Sequence, residues 1–306
     1  MKQVKNNVCR NSLLSSLILF ILLLAVISSP ALAELTLKSV YPNQGVLGQN
    51  LPVTIKGTSF DENTRASFAS DVGNKKAIIG SVGTPSYARG VTVIGDTAYV
   101  ADRGSGLQVI DISNPQSPQI IGFIDTPDDA HSVTVVGDTA DVADGGSGLQ
   151  VIDISNPHSP QIIGSVDTPN WARDVTVVSD TAYVADYGSG FQIIDISNPA
   201  NPQIIGSVDT PGNAEGFTVV GDTAYVAGSY SGLQVIDIGN PQKPQIIGSV
   251  DTPGLAHDVT VVSDTAYVAD GNSGLQVIDI SNPADLQIVG SVDTPGLVYD
   301  VTVISD

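Results

Sequence analysis

The sequence predicts an all-β fold, a β-propeller of four-stranded antiparallel blades, and three features carry that prediction. A Thr-Pro pair recurs every 42 residues without slippage, at Thr84-Pro85, Thr126-Pro127, Thr168-Pro169, Thr210-Pro211, Thr252-Pro253 and Thr294-Pro295. Between the pairs stand only short runs rich in Val and Ile, separated by clusters of Gly, Asn, Asp, Ser and Pro, the compositions of strands and of turns. No segment of the repeats has helical periodicity. A fixed period of about 40 residues built from strands alone marks an array whose units bury their apolar faces by stacking on one another.

The chain divides into three segments. Residues 1–33 read as a secretory signal: Lys2, Lys5 and Arg10 precede an apolar run from Leu17 to Ile27, and Ala31-Leu32-Ala33 fits the small-residue cleavage rule, which makes Glu34 the mature N-terminus. The competing reading, a membrane anchor, needs a longer apolar span than this one, which ends at Ser28-Ser29-Pro30. The single cysteine, Cys9, lies within the signal. The mature chain therefore has no disulfides and no thiolate metal site.

Residues 34–73 do not share the repeated text. Val53 and Ile55 alternate with polar neighbours and Gly57 marks a bend. Ser39-Val40-Tyr41-Pro42, Gly45, Gly48 and the run Val53 to Phe60 resemble the opening of an IPT/TIG immunoglobulin-like domain. The resemblance covers half of such a domain, whose sandwich needs about seven strands.

Residues 74–306 hold the repeats. In the first full copy, strand a is Gly90-Val91-Thr92-Val93-Ile94, strand b is Ala98-Tyr99-Val100-Ala101, strand c spans 107–112 and strand d spans 119–124. The intervening turns are Gly95-Asp96-Thr97, Gly104-Ser105-Gly106 and Ser113-Asn114-Pro115. The strand c text, Leu107-Gln108-Val109-Ile110-Asp111, recurs at 149–153, 191–195, 233–237 and 275–279. It resembles the signature of the LVIVD-repeat propeller family. That resemblance implies a bladed architecture and an exported protein, and it supplies no catalytic residue. The array opens on a lone strand d at 77–82 and ends in strand a of a sixth repeat. Five full blades and part of a sixth are expected, with ring closure requiring further strands, so the chain reads as truncated.

The copies can be compared with one another. In a propeller the a–b and c–d turns share one face, and the d–a and b–c connections share the other. The a–b turns are nearly invariant, and the c–d turns begin Ser-Asn-Pro in four of the five copies; Asp and Asn there are expected to close turns through their side chains. The opposite face varies. It collects the only tryptophan, Trp171, with Tyr87, Tyr187 and Tyr230, the arginines Arg89, Arg103 and Arg173, and the loop histidines His131 and His257. Aromatics and Arg are the residue types that anchor interfaces. This face is the candidate site for a protein or glycan partner, with neutral drift of exposed turns as the alternative.

A second candidate is acidic. Asp102, Asp144, Asp186 and Asp270 end strand b towards the variable face, with Gly228 breaking the set, and Asp174, Asp258 and Asp300 begin strand a nearer the axis. Several carboxylate oxygens at a channel mouth are what Ca²⁺ requires, although no compact calcium loop is present and turn capping explains the same residues. Asp141 departs from its siblings Tyr99, Tyr183, Tyr225 and Tyr267, and nothing in the sequence explains it. No Ser/His/Asp order, phosphate-binding glycine loop or zinc spacing is found.

Charge limits the partners. Removing residues 1–33, which carry Lys2, Lys5 and Arg10 and no acid, takes the formal charge from −20 to −23. Such a surface repels nucleic acid and anionic membranes, and no later stretch is apolar enough to insert in a bilayer. The expectation is a secreted or cell-surface scaffold without catalytic residues or cofactor. The alternatives are an extracytoplasmic metal-assisted hydrolase or lyase, and a purely structural envelope module.

Overall fold

The computed structural model describes residues 79–303. The signal segment 1–33, the IPT/TIG-like segment 34–73 and the start of the lone strand d lie outside the described residues. The repeats form the compact unit that begins at Gly80.

Twenty strands form five antiparallel sheets of four strands each. The first blade is β1 (Gly90–Ile94), β2 (Thr97–Ala101), β3 (Leu107–Asp111) and β4 (Gln119–Ile124). The second is β5 (Ser132–Val136), β6 (Thr139–Ala143), β7 (Leu149–Asp153) and β8 (Gln161–Val166). The third is β9 (Asp174–Val178), β10 (Thr181–Ala185), β11 (Phe191–Asp195) and β12 (Gln203–Val208). The fourth is β13 (Phe217–Val220), β14 (Thr223–Ala227), β15 (Leu233–Asp237) and β16 (Gln245–Val250). The fifth is β17 (Asp258–Val262), β18 (Thr265–Ala269), β19 (Leu275–Asp279) and β20 (Gln287–Val292). Within each sheet the strands pair in chain order, and the innermost strands of successive blades, β1, β5, β9, β13 and β17, pack side by side. No helix among the described residues is long and apolar enough to cross a membrane.

The core lies between blades, as the stacking argument requires. Tyr99, Ala101, Leu107 and Val109 of the first blade bury against Val133, Ala140, Val142 and Ile152 of the second. The value of a preceding neighbour is visible at one repeat position: Val133 is 4% exposed, whereas Val91, its counterpart in the first blade, is 63% exposed. Full burial of such a side chain is worth ~1.5–3 kcal/mol.

Blades also interlock through backbone. Each strand d bulges against strand c, at Val109/Ile110 in the first blade, and carries a glycine at the bulge. A Cβ on Gly122 would stand 2.0 Å from the Pro157 carbonyl oxygen of the next blade, so only glycine admits that approach. Gly80 stands in the same relation to Pro115, and Val82 packs on Ala98, Val100 and Ile110. Residues 80–82 therefore take the place of a strand d, but the strand expected over 77–82 is not formed at its described residues, 79–82, which have no sheet partner. At the far end Thr260 Oγ1 donates to the Val301 carbonyl at 2.7 Å, as Thr92 does to Val133 at 2.7 Å. The sixth copy of strand a is thus docked like its siblings, without a paired strand among the described residues.

Candidate functional site

The two faces are built differently. On the invariant face, the signature aspartate closes the c–d turn: Asp111 Oδ1 accepts the Ser113 N–H at 2.8 Å, and Asn114 Oδ1 accepts that of Gln116 at 3.2 Å. The a–b aspartate acts through its backbone instead, the Asp96 carbonyl accepting the Ile112 N–H at 2.9 Å.

On the variable face the Thr-Pro threonine and the aspartate ending strand b form a latch. Thr84, Thr126, Thr168 and Thr252 donate Oγ1–H to Asp102, Asp144, Asp186 and Asp270 at 2.6–2.7 Å. The second carboxylate oxygen accepts a backbone N–H, from Ser86, Asp128, Asn170 and Gly254 respectively. All four carboxylates are fully buried. In the fourth blade, where Gly228 replaces the acid, Thr210 bonds the Gly212 carbonyl at 2.7 Å. The signature glutamine completes the corner: Gln108 and its counterparts donate to the b–c serine carbonyl at 2.6–2.8 Å. The threonine and aspartate of each latch stand 18 residues apart, and that separation hides their contact in the sequence.

The latch holds the oxygens of the four strand b acids within the turns. Nearer the axis, Asp174 accepts from Ser132 Oγ at 2.7 Å and Asp258 accepts the Val301 N–H at 3.1 Å. Burial pushes Asp174 up to about 6 and Asp258 up to about 7, with neighbouring carboxylates adding to the rise. Among the described residues, no group of three or more His, Cys, Asp or Glu is placed to hold a metal ion.

The aromatic and basic residues come together over the second and third blades. The Arg173 guanidinium lies 4.9 Å from the Tyr187 ring centre and 5.7 Å from that of Trp171. Trp171 is 41% exposed and packs on His131, with ring centres 6.2 Å apart. His131, which its loop position predicts to be exposed, is only 7% exposed. Burial, then the charges of Arg173 and Arg89, push its imidazole down to about 4. Its Nε2 and the Nε of Arg173 are buried without a hydrogen-bond partner. Arg103 pairs with Asp129 across neighbouring loops.

Other candidates stand apart from this cluster. Tyr87 and Tyr230 are exposed, at 74% and 61%, and neither makes an aromatic contact with it. His257 packs on Tyr299 with ring centres 4.8 Å apart, forming a second and separate aromatic pair.

Backbone geometry marks two of the site residues. The b–c position lies in the left-handed region in every blade, where glycine is favoured, and Gly145 and Gly271 occupy it at φ 51° and 52°. Arg103, Tyr187 and Ser229 hold the same place at φ 42°, 43° and 51°, a conformation that costs a side-chain-bearing residue about 1 kcal/mol. The sequence showed these positions as variable; their strain required coordinates.

Bladed sheets in tandem, interlocked at every repeat, define a repeat β-propeller. The LVIVD repeat model matches residues 85–126, 127–168, 171–210, 211–252 and 253–294, and the chain belongs to the LVIVD-repeat family. No curated protein matches the chain. Among solved structures it is similar to the computationally designed protein Ika8, at 11% identity and TM-score 0.57, over 72% of this chain. The chain spans about 65% of the length of that protein. A functionally unknown protein from Desulfotomaculum acetoxidans DSM 771 matches at 16% identity and TM-score 0.56, covering 72% of this chain and 74% of that one. The β-propeller domain of Cps50 (Swd1) from Myceliophteria thermophila matches at 14% identity and TM-score 0.55, covering 69% and 72%. At these identities the likeness is one of fold.

Proposed function

We propose that this chain is an exported, non-catalytic binding scaffold that engages a protein or glycan partner through the face made by its d–a and b–c connections. The observation that carries the reading is the half-buried Arg173 guanidinium packed against Tyr187 and the exposed Trp171. Arg and aromatic side chains held in one place are the usual anchors of recognition. The metal-assisted alternative has less support, since the strand b acids are engaged in latches.

Export, resting on the segment 1–33, is part of the proposal. The test of binding is capture from envelope extract by the full chain and by its Trp171→Ala variant. Capture by the wild type that is lost in the variant, with unchanged melting, supports the reading. Equal capture by both removes it, and an activity abolished by chelation but untouched by Trp171→Ala favours the metal-assisted alternative.

A further inference from the structure

We propose that the cluster around Arg173 binds an acidic saccharide, a uronate-type sugar whose carboxylate pairs with the guanidinium and whose apolar ring face lies on Trp171 or Tyr187. This rests on the partner-binding reading and names the ligand class. Four observations lead to it.

The first is charge. Residues 79–303 contain four Lys or Arg residues, Arg89, Arg103, Arg173 and Lys243, and the three arginines all lie within electrostatic reach of His131. In a chain of formal charge −20, three of the four basic side chains among the described residues are gathered at one spot. Among the described residues, the ion pair Arg103–Asp129 is the one present, so Arg89 and Arg173 have no carboxylate partner there.

The second is geometry. Packing a ring on a guanidinium engages its flat face, while its donors lie in its plane, in the fork that matches a carboxylate. The two rings beside Arg173 take no hydrogen bond from it, and since its Nε is buried without a partner, the terminal nitrogens are the donors left for a carboxylate.

The third is an unmet polar group. His131 is more than nine-tenths buried, lies against Trp171, and its Nε2 has no partner. A buried polar atom left without a partner costs ~1–3 kcal/mol. A ligand oxygen reaching the cluster as the Trp171 ring shifts would relieve it.

The fourth discriminates among anions. An extended peptide is recognised largely through backbone pairing at a free edge, but the loops of this face are already bridged to one another, Arg103 to Ala130, Gly145 to Ala172 and Tyr187 to Ala214. A saccharide whose carboxylates are spaced by carbon-rich ring faces matches both the few arginines and the adjacent indole and phenol.

The experiment is calorimetric titration of the full chain with a short oligouronate, with its carboxyl-reduced counterpart, and with a poly-glutamate peptide. The expected result is binding of the oligouronate alone. Arg173→Gln and Trp171→Ala should each weaken it at least tenfold (~1.4 kcal/mol), while Lys243→Gln, on the invariant face, leaves it unchanged. Melting curves of each variant establish that the fold is kept. Equal affinity for the reduced sugar, binding indifferent to both cluster variants, or no oligouronate binding overturns the proposal. Binding of poly-glutamate in its place assigns an acidic peptide partner and leaves the scaffold reading standing; that reading fails separately, in the capture experiment.

Discussion

Asp141 shows what one side chain does to a repeat. Its siblings Tyr99 and Tyr183 bury a phenol ring between blades. Asp141 lines a partly open cleft of about 210 Å³, together with apolar Val136, Val151, Val177 and Ile196 and polar Thr139, Ser179, Asp180 and Ser197. Both carboxylate oxygens are buried without a partner, and burial pushes the group up from 3.8 to about 7. A carboxyl whose folded pKa is raised holds its proton more tightly in the folded chain. It therefore favours folding below 3.8 and gives up that contribution as pH rises to about 7. At ~1.4 kcal/mol per pH unit, the ionised form costs roughly 4 kcal/mol. Asp141→Tyr removes that cost, so it is expected to raise stability by roughly 4 kcal/mol at pH 8 and by less than half as much at pH 5. Urea unfolding at the two pH values checks both the sign and the difference. His131 works in the opposite sense: its lowered pKa opposes folding as pH falls from 6.5 to about 4, so the variant comparison, rather than the wild-type profile alone, isolates Asp141.

Two devices recur at the level of the element, and each yields a prediction. The glycine of strand d lets the next blade's c–d turn approach. Gly122→Ala must push the Pro157 carbonyl away, and overpacking of this kind costs ~1–3 kcal/mol; thermal unfolding should show the loss. By contrast Gly137, in an open a–b turn, has nothing within 4 Å of an added Cβ. The change there is limited to its backbone cost at φ 59°, ~1 kcal/mol. The latch is the second device. Asp186→Ala leaves the Asn170 N–H without its acceptor and the Thr168 hydroxyl with only the Asn170 carbonyl, at 3.5 Å, and destabilisation of ~1–3 kcal/mol is expected in a denaturant melt. The strands themselves were readable to within one residue, since β1 and β4 match prediction and β2 starts one position earlier at Thr97. That extra residue pairs with Ile94 across a tight turn, which composition alone does not mark.

For the whole molecule, charge is the dominant long-range term. With a formal charge of −20 over 306 residues, self-repulsion opposes the compact state and is screened beyond about 10 Å at 0.1 M salt. Melting temperature should rise on going from 10 mM to about 150 mM salt, and calorimetry at fixed pH checks it; a flat response would show that short-range packing outweighs the field. Export is tested by N-terminal sequencing of extracytoplasmic material, where Glu34 is the expected first residue. An intact Met1 in a membrane fraction would show that the segment anchors the chain instead.

The architecture was written in the sequence because repetition makes every copy a control for the others. Period, turn chemistry and strand composition agree in each repeat, and a blade has one way to satisfy them. The segregation of Trp171, Arg173, Tyr187 and His131 to one face came from the same logic, since d–a and b–c connections share an end of the sheet. Only tertiary structure decided which of these residues touch. It joined Arg173 to Tyr187 and Trp171, set His257 with Tyr299, and buried His131 beneath loops that sequence reads as exposed. It also tied the strand b acids to threonines 18 residues upstream. The physical reason is that topology depends on periodic backbone and burial preferences, which are local. Contacts among loop side chains depend on the angle between blades and on left-handed turns at Arg103 and Tyr187, neither of which is encoded in any single repeat.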